Sequence, residues 1–132
     1  MTAKPLPDVT ALNQIYWEGT KKGELRIREC DDCKARFRFA HAWCPNCGNV
    51  EPGWTRANGR ATVTHFTVVH RAPYAAFEDV VPYVLALVEL EEGVRMMCNI
   101  VECDPKSVRV GLPVSVTFEQ RGDIALPQFR PR

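Results

Sequence analysis

The chain has 132 residues, 17 Lys/Arg against 16 Asp/Glu, and a formal net charge of +1. That length suits one compact core with a small satellite, and the near-neutral balance excludes a general field drawing the whole protein to nucleic acid. Six cysteines do not make a disulfide scaffold in a chain this long, no charged-then-apolar leader opens it, and no apolar run approaches the eighteen or so residues that span a bilayer, so a soluble, non-secreted protein is expected.

Residues 1–8 contain two prolines and read as a loose lead-in. Residues 9–22 read as a helix. Leu12, Ile15 and Tyr16 fall on one face at i, i+3 and i+4, with Trp17 at its edge. Thr10 fits the N-cap and Gly23 the stop. That face either packs on a core or docks a partner. Residues 24–29 alternate strictly and read as a first ribbon strand, and Arg36-Phe37-Arg38-Phe39 alternates in the same way. Arg26, Arg28, Arg36 and Arg38 would then share exposed faces of a small sheet. Such a face is either merely solvated or able to hold phosphates, which arginine pairs with bidentately.

Between and beyond these strands lie Cys30-Asp-Asp-Cys33 and, ten residues later, Cys44-Pro-Asn-Cys47-Gly48. Two such pairs most simply form a tetrathiolate zinc site. Each turn aims two sulfurs at one point, and zinc takes four in a tetrahedron at about 2.3 Å. Pro45 suits the start of the second turn and Gly48 the tight backbone after it. Two disulfides or four unrelated thiols are the alternative, whereas a redox dithiol needs one pair in a βαβ context, which is not present. With four cysteines available, His41 reads as a surface or hydrogen-bonding residue. A closed four-sulfur shell leaves no position for water, so the metal is expected to be structural and the compartment the reducing cytoplasm. Residues 1–60 carry ten Lys/Arg against seven Asp/Glu, and residues 61–132 seven against nine, which makes the ribbon half slightly basic. Residues 51–58 lead out of it, with Trp54 expected as a lid over its small core.

Asn58-Gly59 signals a turn, and β-type stretches follow. They are residues 61–70, 83–90, 94–101, 114–119 and 125–130. Residues 83–90 are apolar on both faces and read as a central strand. Asp104-Pro105 starts a short turn or helix, and Arg121-Gly122-Asp123 is a hairpin turn. Cys98 reads as a small buried hydrophobe within its strand, with Cys103 just past the end. Five short strands and almost no helix predict a small closed barrel of the OB type.

Taken together, the helix ending Tyr16-Trp17-Glu18-Gly19, the segment Leu25–Cys30 and the two cysteine turns form a recognisable set. So do Gly59–Val63, Phe66–Arg71, Pro82–Leu90, Glu92–Arg95, Gly111–Val114 and Leu126–Pro131. The chain resembles the zinc-ribbon OB-fold proteins associated with acyl-CoA thiolases and related condensing enzymes. The resemblance implies a mainly β fold of N-terminal helix (residues 1–23), rubredoxin-like zinc ribbon (24–58) and five-stranded OB-fold barrel (59–132). It also implies a non-catalytic accessory subunit with no activity alone. The expected partner is a thiolase-fold catalytic subunit, whether thiolase, hydroxymethylglutaryl-CoA synthase or steroid side-chain aldolase, in a heterotetramer. Zinc at Cys30, Cys33, Cys44 and Cys47 and a bound coenzyme A thioester are the implied cofactor and substrate. The loop after residue 70 supplies Arg71, Tyr74 and Phe77 beside His70. With Arg36 and Arg38 of the ribbon, this loop is expected to line the path of coenzyme A, whose phosphates suit arginine and whose adenine suits an aromatic face. Neither a nucleic acid nor a membrane is expected as a partner. The competing class is a single-stranded nucleic-acid-binding zinc-ribbon and OB-fold module, against which stands the lack of a basic stripe. No catalytic motif supports a stand-alone enzyme.

Overall fold

The structure, a computed structural model, describes residues 4–132. The first three residues of the expected lead-in lie outside that range. One helix, α1 (Gln14–Lys21), precedes three ribbon strands, β1 (Arg26–Glu29), β2 (Arg36–Phe37) and β3 (Gly53–Arg56). Five longer strands follow: β4 (Arg60–Val69), β5 (Tyr83–Leu90), β6 (Arg95–Ile100), β7 (Pro113–Arg121) and β8 (Ile124–Pro131). The ribbon strands pair in the order β2-β1-β3, and the others close a barrel in the order β4-β5-β6-β8-β7. The protein is therefore mainly β, with a helix, a zinc-ribbon region and a five-stranded OB barrel, as expected.

β-branched and apolar residues alternate along the barrel strands, so every second side chain points inward. Val63, Val84, Val88, Leu90, Val114 and Phe129 are each at most 2% exposed and fill the interior. β4 must bend to pair with both β5 and β7. It does so at a bulge between Val63 and His65, where the displaced Thr64 hydroxyl donates to the Leu87 carbonyl at 3.0 Å. β6 and β8 meet in parallel through the single register pair Ile100 and Phe129. Pro127 has no N–H to extend the ladder, and the Gln128 side chain accepts the Asn99 N–H at 2.7 Å instead. This seam is the thin part of the barrel wall, and α1 and β1 pack beside it.

Five sequence expectations need correction. The helix begins at Gln14 rather than residue 9, because Asn13 ties the preceding chain into a loop. Its side-chain oxygen accepts the Thr10 N–H at 2.6 Å and its amide donates to the Asp8 carbonyl at 3.0 Å. Thr10 is therefore not the cap. The buried face is Tyr16, Trp17, Gly19 and Thr20, while Leu12 and Ile15 are exposed. Residues 53–56, read only as a lead-out, form β3, which pairs with β1. Trp54 packs against the main core and not over the cysteine cluster.

Candidate metal centre and neighbouring surfaces

The two cysteine turns are built alike. The Lys34 N–H donates to the Cys30 carbonyl and the Gly48 N–H to the Cys44 carbonyl, both at 2.9 Å. The Cys30 and Cys44 N–H groups in turn donate to Ala35 and Asn49, again at 2.9 Å. Each turn closes on a left-handed residue, Lys34 at φ 66° and Gly48 at φ 81°. The four sulfurs of Cys30, Cys33, Cys44 and Cys47 consequently lie within 4.8 Å of one another. Among the described residues this is the only cluster of at least three His, Cys, Asp or Glu groups so placed.

The donor set fits zinc. Cys30 and Cys47 sulfurs are 3.5 Å apart and those of Cys33 and Cys44 3.6 Å, too far for a disulfide. Both values are near the edge of about 3.8 Å that follows from a tetrahedron with zinc–sulfur bonds of about 2.3 Å. The Cys33 backbone N–H and the Asn49 amide stabilise the Cys30 thiolate and draw its pKa down to about 6. Cys33 is lowered as well, first by the Asn46 side chain. Cys47 moves the other way, to about 12: the Asn49 N–H favours its thiolate, but the sulfurs of Cys30, Cys33 and Cys44, together with burial, outweigh it. Four thiols this close cannot all ionise alone, and a divalent cation among them removes the conflict. His41 stays outside the shell, exposed and edge-on to Phe37 at 5.8 Å.

Arg28 departs from expectation. It is 7% exposed, not on a solvated face. Its guanidinium donates to the carbonyls of Gly53 (3.3 Å), His41 (3.4 Å) and Pro52, and lies 4.4 Å from the Trp54 ring centre. Burial lowers its pKa. Alternation identifies β1 correctly as strand but cannot show that three distant carbonyls converge on this side chain. Arg26 is half-buried, pairs with Glu24 at 3.0 Å and donates to the Ile15 carbonyl, which joins ribbon to helix. Arg36 is exposed and held by Glu29 at 2.9 Å. Arg38 is exposed and meets no carboxylate within 4 Å among the described residues.

His70, Arg71 and Tyr74 are exposed on the connection from β4 to β5, which holds a short 3-10 turn at Ala75–Phe77. Tyr74 and Phe77 meet edge-on at 5.1 Å, and the Lys4 ammonium sits 5.9 Å from the Phe77 ring centre. Phe77 borders a cavity of about 290 Å³ with Lys4, Glu119 and Arg121. Arg38 borders a different cavity of about 280 Å³, between α1, the ribbon and the β6–β8 seam. The structure thus brings His70, Arg71, Tyr74 and Phe77 to one loop, and sets Arg36 and Arg38 apart on the ribbon. The outer face of β4, β5 and β6 is not singled out by the sequence. There Phe66, Leu85, Leu87 and Met97 form a shallow apolar strip, with Met97 58% exposed. The signal for it is the two-sided apolarity of residues 83–90, which reflects this outer strip as well as the interior.

A four-cysteine ribbon on a closed five-stranded barrel defines a zinc-ribbon OB-fold protein. Residues 17–51 match the rubredoxin-like zinc ribbon domain of ChsH2 and residues 54–119 its C-terminal OB-fold domain, and the chain belongs to this ChsH2 (DUF35) family. It is 36% identical over 129 residues to a probable enoyl-CoA hydratase alpha subunit of Thermomonospora curvata, covering 97% of this chain and 40% of that one. It is 39% identical over 118 residues to the 3-oxo-4,17-pregnadiene-20-carboxyl-CoA hydratase alpha subunit of Mycobacterium tuberculosis, covering 89% and 37%. The chain thus spans about two fifths of the length of these curated relatives. A solved chain described as "Ltp2-ChsH2(DUF35) aldolase" superposes with a TM-score of 0.84 at 35% identity, covering 96% of this chain and 98% of that one. No helix among the described residues is long and apolar enough to cross a membrane.

Proposed function

We propose that this protein is a non-catalytic accessory subunit that docks on a thiolase-fold catalytic partner and completes its acyl-CoA channel. The observation that carries the reading is the end-to-end likeness to a ChsH2 chain whose solved structure is named together with Ltp2. The apolar strip of Phe66, Leu85, Leu87 and Met97 supports it, since aromatic residues and Met are enriched where partners meet. Zinc held by Cys30, Cys33, Cys44 and Cys47 would be structural and would fix the ribbon, with no position for a reacting water. On the exposed loop, Arg71 would meet a coenzyme A phosphate, Tyr74 and Phe77 would offer an aromatic face, and His70 would add a donor. The ribbon's Arg36 and Arg38 would extend the path.

Six arginines, Arg26, Arg36, Arg56, Arg95, Arg121 and Arg130, lie 2.7 to 3.6 Å from a carboxylate. That local neutralisation favours the acyl-CoA reading over a nucleic-acid module, which needs unpaired cations along a strand path. The test is co-purification with a thiolase-fold acyl-CoA subunit, followed by kinetics of the complex. Arg71→Ala should raise the KM for acyl-CoA about tenfold, the size expected for one charge-assisted hydrogen bond, with kcat little changed. Failure of any thiolase-fold subunit to co-purify, or turnover by the isolated chain, would overturn the proposal.

A further inference from the structure

We propose that the cavity between α1, the ribbon and the β6–β8 seam is a binding site for a medium-chain aliphatic carboxylate, with Arg38 holding the head group. The cavity exists because β6 and β8 pair at one register position and then diverge, leaving Met96–Asn99 facing Leu126–Gln128 across a gap. Tyr16, Trp17, Leu25 and Ile27 cover that gap without filling it. Its volume, about 280 Å³, exceeds that of the packing voids common in protein cores and approaches the lower end of small-ligand sites.

Several polar groups on its wall make no hydrogen bond among the described residues. Tyr16 is 4% exposed, and its hydroxyl is not among the buried atoms left without a partner. Trp17 is 7% exposed and buries its indole N–H without an acceptor. Gln128 is 6% exposed; its oxygen is taken by the Asn99 N–H, while its amide N–H groups have no partner among the described residues. Of these groups the Trp17 indole N–H is the one shut off from water without an acceptor, and an unpaired buried donor is destabilising. Arg38 at the edge carries an unpaired positive charge, near enough to the Tyr16 hydroxyl to act on it electrostatically. The apolar part of the wall includes Leu25, Ile27, Phe39, Leu85, Met96 and Met97, which suits an alkyl chain, and the second guanidinium on it, Arg26, is already held by Glu24 at 3.0 Å. Cys98 adds no opposing charge: burial pushes its thiol up to about 12, so it stays neutral. Arg38, on the wall of this cavity, can hold a carboxylate here in the isolated chain and a coenzyme A phosphate in the complex.

Octanoate is the probe, titrated calorimetrically into the zinc-loaded isolated chain, with octylamine and octanol as controls. Saturable binding of one octanoate per chain is expected. Arg38→Ala, an exposed site where folding is not at stake, should weaken binding about tenfold, and Tyr16→Phe, which keeps the ring stacked on Phe39, several-fold. Octylamine and octanol should each bind at least tenfold more weakly than octanoate. Absence of saturable octanoate binding at millimolar concentration, equal affinity of the Arg38→Ala variant, or a control binding as tightly as octanoate would each overturn the inference. No partner subunit enters the assay, so its failure leaves the accessory-subunit reading intact.

Discussion

Arg28 ties the ribbon to itself. Its guanidinium collects carbonyls from His41, just before the second cysteine turn, and from Pro52 and Gly53, just after it. Trp54 covers its face at 4.4 Å. No carboxylate is involved, so the side chain acts as a forked hydrogen-bond donor rather than as half of an ion pair. Truncation removes these bonds and leaves buried carbonyl oxygens without donors. Arg28→Ala should therefore destabilise the protein by about 2–4 kcal/mol, and Arg28→Lys should restore only a minor part because an ammonium cannot span the three acceptors. Denaturant unfolding of the zinc-loaded protein checks this, and an Arg28→Ala loss below about 0.5 kcal/mol would show that the arginine is a bystander. In the sequence, Arg28 is indistinguishable from Arg26, Arg36 and Arg38. Alternation reports which face a residue occupies in its own strand, but not whether a later loop folds over that face. The four cysteines, by contrast, are legible because their spacing is a local property of two turns.

At the level of elements, legibility follows the strength of the local apolar signal. Residues 83–90 read with the observed bounds of β5 because an apolar run lies there between Pro82 and the Glu92-Gly93 turn; only the structure shows that Val84, Ala86, Val88 and Leu90 are the buried positions. β3 escapes the sequence: Gly53-Trp54-Thr55-Arg56 is four residues long and intermediate in burial until its exposed last residue, so no periodicity marks it. The buried face of α1 is misread because two of its four buried positions, Gly19 and Thr20, carry no apolar signal. The joint between β3 and β4 is readable as a turn, yet its constraint is tertiary. Gly59 has φ 84°, and a Cβ there would lie 2.6 Å from Val116 Cγ1 of β7. Its carbonyl also accepts the Val116 N–H at 2.8 Å, so neither strand can back away cheaply. Gly93, in the β5–β6 turn, has nearly the same φ, 86°, and a methyl added there would meet nothing within 4 Å. The pair separates backbone strain from clash. Gly93→Ala should cost about 1 kcal/mol and Gly59→Ala about 2–3 kcal/mol, the excess measuring the collision with Val116. Equal losses at the two sites in parallel thermal melts would show that β7 yields to the added methyl.

For the whole molecule, the question is what the metal holds together. Two buried clusters coexist. One is continuous from Tyr16 and Trp17 of the helix, through Leu25 and Ile27 of the ribbon, to Val63, Val88 and Phe129 of the barrel. The other consists of Cys30, Phe37 and Cys44, with Cys33 and Ala35 against it. The second is too small to fold on apolar burial, so a metal held by its four cysteines is expected to supply its stability, whereas the barrel has an interior of its own. Phe39, two residues past Phe37 of the second cluster, packs on the first, stacked on Tyr16 at 4.0 Å between ring centres. The proposed division at residues 24–58 and 59–132 therefore has a measurable form. Stripping the metal with a chelator should raise amide hydrogen exchange about a hundredfold or more across residues 28–52, while β5 and β7 keep their protection. α1 should fall between these extremes, since Tyr16 loses its Phe39 contact but Trp17 remains in the main core. If protection in β5 collapses together with the ribbon, the metal stabilises a single cooperative unit and the division fails. If residues 28–52 stay protected without metal, the four cysteines do not depend on zinc for their fold.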